Sequence, residues 1–305
     1  MQADYVVVGA GSAGCTVAAR LAETGASVIL LEAGPRDSHP MIHIPAGVRS
    51  LIRHPVVNWN FTTEPEKSSG ERRIDWPRGR TLGGSSSING MLYVRGAPAD
   101  FDGWAQMGCR GWSYDDCLPH FKAMESYRPG DDQYRGKEGP LRIEDYRTVL
   151  PLTDRFVEAA QQAGHPFLKD LSGVTPADGV GYSQMSRNGR FRGSTAQTFL
   201  RRARKRPNFR VLTNATALRV LLDGRRATGV RVDHGPRDGA ARPADQHLAG
   251  QVHAACAIGI VSVHPQGVDV LRTGKEEGDR GVAGQPGAGH DAPADVGPRT
   301  GRAFG

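Results

Sequence analysis

The sequence predicts an α/β fold, α+β overall, on three observations. A β-branched run passes through a glycine-rich turn into a helix and a second apolar strand within the first 32 residues. A second glycine cluster around Gly83 runs directly into another apolar stretch. Beyond Val232 every aromatic residue except Phe304 disappears. A segment without large rings has little apolar area to offset the entropy of ordering its backbone. The chain therefore divides into a folded region, residues 1–232, and an irregular or disordered tail, residues 233–305, that is not expected to form a domain.

Tyr5, Val6, Val7 and Val8 form a continuous β-branched and aromatic run, suited to a strand buried on both faces. The run enters Gly9-Ala10-Gly11-Ser12-Ala13-Gly14, a GxGxxG. The helix that follows places Val17, Ala18 and Leu21 on one face and ends near Gly25; a second buried strand then delivers Glu32. Each part has a mechanical reason. Gly9 permits the tight turn, Gly11 lets backbone approach a pyrophosphate, and Gly14 allows close helix–strand packing. The helix N-terminus offers N–H groups and the positive end of its dipole to phosphates. Glu32 stands where an acidic side chain accepts hydrogen bonds from a ribose, and it would repel a 2′-phosphate. Strand, glycines, helix, strand and acid in this order describe a Rossmann-like dinucleotide site. Their spacing does not separate NAD from FAD.

The second cluster reads Arg78-Gly79-Arg80-Thr81-Leu82-Gly83-Gly84-Ser85-Ser86-Ser87-Ile88-Asn89-Gly90-Met91-Leu92-Tyr93-Val94-Arg95-Gly96. Its glycines and serines supply N–H groups and hydroxyls able to line a phosphate or a flat heteroaromatic edge. A mobile Gly/Ser linker would not run straight into large apolar side chains.

With the first motif, this segment resembles the glucose–methanol–choline (GMC) oxidoreductases, FAD-dependent alcohol oxidases and dehydrogenases. G-R-T-L-G-G-S-S-S-I-N, followed by Tyr93, Gly96 and Asp102, matches that family's first signature. Asn58-Trp59-Asn60-Phe61-Thr62-Thr63-Glu64-Pro65 is similar to its N-W-x-[FY]-x-T-E-P segment, and Asp100-Phe101-Asp102-Gly103-Trp104 to its D-[FY]-D-x-W element. Residues 208–232 resemble its strand and hairpin, so the likeness spans residues 4–232, in the style of the bacterial choline- and alcohol-dehydrogenase branch.

The resemblance implies a site. Gly9, Gly11, Ser12, Ala13, Gly14 and Glu32 would hold the ADP half of FAD. Arg80, Leu82, Gly83, Gly84 and Ser86 would follow the pyrophosphate and ribityl chain toward the flavin. Asn89, Gly90, Met91 and Leu92 would lie beside the isoalloxazine ring, and Ala217 would present backbone to the adenine. Some members carry at position 88 a histidine covalently tethered to the flavin; Ile88 implies noncovalent FAD. The fold implied is an FAD-binding domain with part of an antiparallel-sheet substrate domain around residues 150–195. The family's catalytic His, and the His or Asn beside it, come from a C-terminal half with no recognisable counterpart here, so no catalytic residue is assigned. His43, His54, His120 and His165 read as surface or packing residues.

Between the motifs, prolines break up residues 35–80, residues 104–127 read as a Trp-bearing helical stretch, and residues 150–163 as an amphipathic helix with Leu152, Phe156, Val157 and Ala160 on one face. Residues 194–200 are helix-like, and the basic run 201–206 complements that helix's C-terminus. No aromatics interleave with the run, so the net charge of +7 does not imply a nucleic-acid partner. The N-terminus lacks the positive n-region of a signal peptide, and no apolar run is long enough to cross a bilayer. A cytoplasmic location with reduced thiols is expected. Cys15 reads as a small buried packing residue, while Cys109, Cys117 and Cys256 have no evident role. The irregularly spaced histidines beyond Val232 imply no metal site.

After Val232 the family's second signature is not recognisable. The change of composition there predicts a continuation read out of frame, which translation in the other two frames beyond codon 232 checks. Without the family's return strand, an edge of the first strand is expected to be unpaired. The leading reading is an FAD-dependent oxidoreductase acting on the CH–OH group of a small-molecule alcohol, with the electron acceptor open between oxygen and a quinone-like compound. The alternative is a noncatalytic FAD-binding fragment. NAD-dependent hydride transfer would leave the 83–89 loop without a role.

Overall fold

The computed structural model describes residues 1–173, 179–234, 246–256, 259–264 and 267–269, with side chains described as far as His234. Residues Met1–Leu271 form one compact unit, and Arg272–Gly305 lie outside the described residues.

β1 (Gln2–Val8) and β2 (Val28–Leu31) pair in parallel, from Tyr5 opposite Val28 to Val8 opposite Leu31. α1 (Ser12–Glu23) connects them and stops at Thr24, before Gly25 at φ +93°. β10 (Phe209–Leu212) adds in parallel to the far side of β2. On the other side of β1 lies β13 (Gln246–Cys256), also parallel, with Tyr5 opposite Gln251 and Val8 opposite Ala254. β12 (Arg226–His234) pairs antiparallel with β13, and β11 (Ala215–Asp223) with β12. β14 (Gly259–His264) and β15 (Gly267–Asp269) extend from β13 as an antiparallel hairpin.

The sheet order is therefore β10–β2–β1–β13–β12–β11. This corrects the expectation that β1 keeps an open edge: backbone from beyond Val232 occupies it. The sequence boundary at Val232 falls inside β12, well within the compact unit.

Alternation along the strands sends side chains into two cores. Val7, Val28 and Leu30 join Cys15, Ala18, Ala19 and Ala22 of α1 with Phe199, Leu200 and Phe209. Val6, Ile29 and Leu31 join Ala215, Ala227, Val230 and Val232 on the opposite side. The face α1 buries consists of small residues; Val17 and Leu21, expected there, are only half-buried. Alanines let the helix axis approach the sheet closely.

The connection after β2 contains α2 (Pro40–His43), α3 (Val48–Leu51) and a two-residue pairing of β3 (Phe61–Thr62) with β4 (Asp75–Trp76). The stretch expected to be helical over 104–127 is two helices, α4 (Pro98–Gln106) and α5 (Tyr114–Met124). Ser113 caps α5 through the N–H of Asp116.

A smaller sheet has the order β5 (Leu92–Tyr93), β8 (Gln184–Asn188), β7 (Leu141–Glu144), β6 (Glu125–Ser126), with β9 (Phe191–Arg192) beside β8. Its pairings are antiparallel except β6 with β7. β5, β6 and β7 lie before residue 150, outside the expected span, because pieces of two to four residues carry too little alternation to be read. The Glu125 carboxylate, on the edge strand β6, is fully buried among charges, accepting from Arg95 Nη2 and Arg135 Nε at 2.7 Å each.

α6 (Pro151–Gln162) falls within the predicted span, but its apolar face is not a core face. Val157 is buried, whereas Leu152 is 81% and Phe156 69% exposed. Residues Ala196–Leu200 form a π-helical turn leading into α7 (Arg201–Ala203), not a regular α-helix.

Candidate functional site

The carboxyl end of β1 turns sharply because Gly9 adopts φ +88°, and its N–H donates to Leu31 O at 2.8 Å. A side chain at Gly14 would place Cβ 1.8 Å from Gly9 O, so the first turn of α1 is pressed against the strand's end. A Cβ at Gly11 would meet nothing within 4 Å. Gly11 is also the N-cap of α1 and supplies no side-chain cap. The first-turn N–H groups of α1, which lack an intrahelical partner, are thus uncapped by any side chain at Gly11 and lie beside exposed Ser12 and Ala13.

Glu32 extends the end of β2 into this corner. Its Oε2 accepts from the Ala10 N–H and its Oε1 from the Gly34 N–H, both at 2.9 Å. Burial raises its pKa to about 7, against the lowering effect of those two N–H donors and of the Arg80 charge. Each carboxylate oxygen retains acceptor capacity. Ala217, on β11, lies two residues beyond Ala215, whose N–H donates to Glu32 O at 2.8 Å.

The second glycine cluster closes onto the first. Gly83 (φ +88°) donates its N–H to Ala10 O at 2.7 Å. A Cβ at Gly84 would lie 2.7 Å from Gly11 Cα. Leu82 is buried in the core beside α1, and Arg80 Nη2 donates to Ala33 O at 3.2 Å while its guanidinium lies over Trp59. Residues Gly84–Ser87 form a 3-10 turn, with Ser86 Oγ donating to Gly83 O and Ser87 Oγ to Leu82 O, each at 2.6 Å.

Beyond that turn, Asn89 Oδ1 accepts from the Met91 N–H at 3.0 Å, holding Met91 at φ +63°. Met91 is buried, while Asn89, Gly90 and Leu92 are exposed, and a Cβ at Gly90 would meet nothing. Ile88 is turned away into an aliphatic cluster with Ile42, Leu51 and Val57.

The structure therefore joins Gly9, Gly11, Ser12, Ala13, Gly14, Glu32, Gly83 and Gly84 in one corner. Leu82 and Arg80 flank it, Ser86 leads away, and residues 89–92 form a separate shelf. Sequence reasoning missed the strip that backs this shelf. Thr195 donates its N–H to Ser86 Oγ at 3.1 Å, and buried Arg192 donates to Asn89 and Ser86. Gln197 Nε2 donates to Asp37 Oδ2 at 2.5 Å. The small polar run Gly193-Ser194-Thr195 was the signal available, but it also reads as an ordinary helix start.

The histidines lie elsewhere. His43 Nε2 is 2.7 Å from Asp37 O, His54 Nδ1 accepts from the Val56 and Val57 N–H groups, and His120 and His165 are exposed. Burial pushes the Cys15 thiol up to about 12, so it stays protonated as a packing residue. Among the described residues no three His, Cys, Asp or Glu side chains converge as a metal site. No helix among them is long and apolar enough to cross a membrane.

Residues 3–257 match the family profile described as GMC oxidoreductase. The chain belongs to the GMC oxidoreductase family. The match runs past Val232, so the resemblance is longer than its motifs suggest and takes in β13. Among GMC relatives, the chain is 42% identical over 233 residues to an oxygen-dependent choline dehydrogenase of Vibrio vulnificus, covering 75% of this chain and 41% of that protein. It is 44% identical over 236 residues to the oxygen-dependent choline dehydrogenase of Brucella suis, covering 77% and 43%. The chain thus spans little more than two fifths of the length of these relatives. Among solved structures, pyridoxine 4-oxidase from Mesorbium loti superposes with a TM-score of 0.73 at 32% identity, over 82% of this chain and 48% of that one. A formate oxidase superposes with a TM-score of 0.72 at 25% identity, over 83% and 45%.

Proposed function

We propose that this chain is the FAD-binding part of an FAD-dependent oxidoreductase acting on the CH–OH group of a small-molecule alcohol. The observation that carries the reading is the closure of the two glycine clusters on each other, Gly83 N–H to Ala10 O, beside the Glu32 carboxyl and the uncapped end of α1. The corner fits a dinucleotide: positive dipole and N–H groups for phosphates, open space over Gly11, and a carboxyl with spare acceptor capacity for ribose hydroxyls.

In this reading Gly9, Gly11, Ser12, Ala13, Gly14 and Glu32 hold the ADP half. Ala217 presents backbone to the adenine. Arg80, Leu82, Gly83, Gly84 and Ser86 follow the pyrophosphate and ribityl chain. Asn89, Gly90, Met91 and Leu92 form the shelf for the ring, and the exposure of Asn89, Gly90 and Leu92 supports that placement. Ile88 has no nucleophilic atom and is packed among aliphatic side chains, which supports noncovalent binding. The bound flavin supplies hydride acceptance from the carbinol carbon. The chain's own residues bind and orient; none is assigned as the base that takes the hydroxyl proton.

The placement of the histidines favours a second reading, FAD binding without catalysis. His43 and His54 are engaged by backbone in the 37–57 connection, and His120 on α5 and His165 beyond the end of α6 are exposed. Purified protein reconstituted with FAD and mixed with choline or primary alcohols separates the two. Bleaching of the flavin band supports catalysis by this chain, and a band that persists anaerobically supports the binding-only reading. A chain that retains no FAD overturns both.

A further inference from the structure

Arg192, at the end of β9, is 2% exposed, among the most deeply buried large side chains. Its Nε donates to Ile42 O at 2.8 Å. Its Nη1 donates to Asn89 O at 2.5 Å, Asn89 Oδ1 at 2.9 Å and Ser86 O at 3.4 Å. All four acceptors are neutral. Nη2 is buried with no partner among the described residues.

The other two buried arginines among the described residues are arranged differently. Arg95 and Arg135 share the Glu125 carboxylate, and Arg135 also reaches Asp170. Arg192 makes no ion pair among the described residues, and burial alone lowers its pKa to about 10. A guanidinium kept in a dry interior without a carboxylate is costly, and an apolar side chain of similar volume would fill the same space with less penalty. The charge therefore has a use beyond packing. Its position says where: the same nitrogen that grips Asn89 and Ser86 sets the turn whose Asn89 side chain holds Met91 at positive φ.

We propose that Arg192 is a positioning residue for the cofactor, clamping the 86–91 turn in its receiving shape and supplying, through its uncompensated charge, the counter-ion for an anionic part of bound FAD. The proposal rests on the FAD reading above. Two parts of FAD share that chemistry, the pyrophosphate and the flavin ring once reduced, and they differ in when the negative charge is present. Asn89 receives the clamp through both its backbone and side-chain oxygens.

The test is a pair of variants of the full chain, Arg192→Gln and Arg192→Lys, measured for FAD affinity by fluorescence titration, for reduction potential and for thermal midpoint. Loss of a charge-assisted contact predicts FAD binding weaker by roughly tenfold or more in Arg192→Gln. Arg192→Lys, which keeps the charge but not the fork, is expected to recover part of that loss. Weaker binding with an unchanged potential identifies the pyrophosphate as the anion. A potential moved to more negative values in Arg192→Gln, restored in Arg192→Lys, identifies the reduced ring. Unchanged affinity and potential in a folded Arg192→Gln overturn the proposal while leaving the FAD reading intact. If Arg192→Gln does not fold, Arg192→Met, which fills the same space without charge or fork, decides: wild-type affinity and potential in it overturn the proposal. A wild-type chain without FAD affinity defeats the FAD reading itself, and the proposal with it.

Discussion

The Glu32 carboxyl is buried, accepts two backbone N–H groups and titrates at about 7, so its charge changes within the ordinary working range of pH. The folded chain holds this proton more tightly than an unfolded chain does. Its contribution to stability is complete below the usual glutamate value and is lost as pH rises through about 7. A shift of this size is worth on the order of 3 kcal/mol. The thermal midpoint of the FAD-free protein is expected to fall between pH 5 and pH 8, with most of the slope removed in Glu32→Gln. Ribose hydroxyls donate to the ionised carboxylate, so FAD affinity runs the other way, strengthening as pH rises through 7. Titration of apoprotein with FAD at several pH values checks the sign, and a slope unchanged in Glu32→Gln assigns it to another group.

The glycines around this carboxyl make a second contrast. Gly11→Ala points a methyl into open space and should leave the thermal midpoint within about a degree while weakening FAD binding roughly tenfold, because the methyl occupies the phosphate approach. Gly14→Ala drives Cβ to 1.8 Å from Gly9 O and should cost folding itself. Circular dichroism melts beside FAD titrations separate the two. The tight turn at Gly9 and the close packing at Gly14 were legible in the sequence because spacing and order are local properties. Arg192 was not, since its acceptors Ile42, Ser86 and Asn89 come from distant parts of the chain. Nothing in the pattern around residue 192 announces a buried cation.

At the scale of elements, strands with buried residues on both sides were readable, and β1 and β2 fall where β-branched runs predict them. The helical period of α6 was equally plain, yet Leu152 and Phe156 stand exposed. Periodicity reports which residues share a face; it carries no information on what, if anything, covers that face. The pairing of β13 with β1 was hidden for the opposite reason. Residues 246–256 lack aromatic side chains, and a parallel strand between two others is held largely by its ladder. A chain ending at His234 opens the edges of both β1 and β12, so it should aggregate or elute as soluble oligomers. A chain ending at Leu271 should remain monodisperse. Size-exclusion chromatography compares them, and identical behaviour would mean that β13 contributes nothing to the sheet.

Across the whole molecule, the fold class and both glycine clusters were visible in the sequence, whereas the strand that returns to pair with β1 was not. Composition changes at Val232, but backbone pairing does not respect that change: β12 runs through it and β13 returns to the centre of the sheet. A sheet is closed by hydrogen bonds that every non-proline residue can make, so poor side-chain composition does not forbid a strand. The smaller sheet shows the same limit from the other side. At its β6 edge the buried groups are charges, Glu125 between Arg95 and Arg135, which a hydrophobicity pattern cannot register.

The contact between Ala10 and Gly83 has a kinetic consequence. The partners are some seventy residues apart, so the loop between them must close before the corner exists, at an entropic cost that grows only slowly with its length but must be met before any contact rewards it. The first β–α–β unit can form early from neighbours in sequence. It remains half a receptor until the second glycine loop arrives. Cofactor added to a refolding chain has nothing complete to seize during the early phase, and it acts afterwards by holding the closed loop shut.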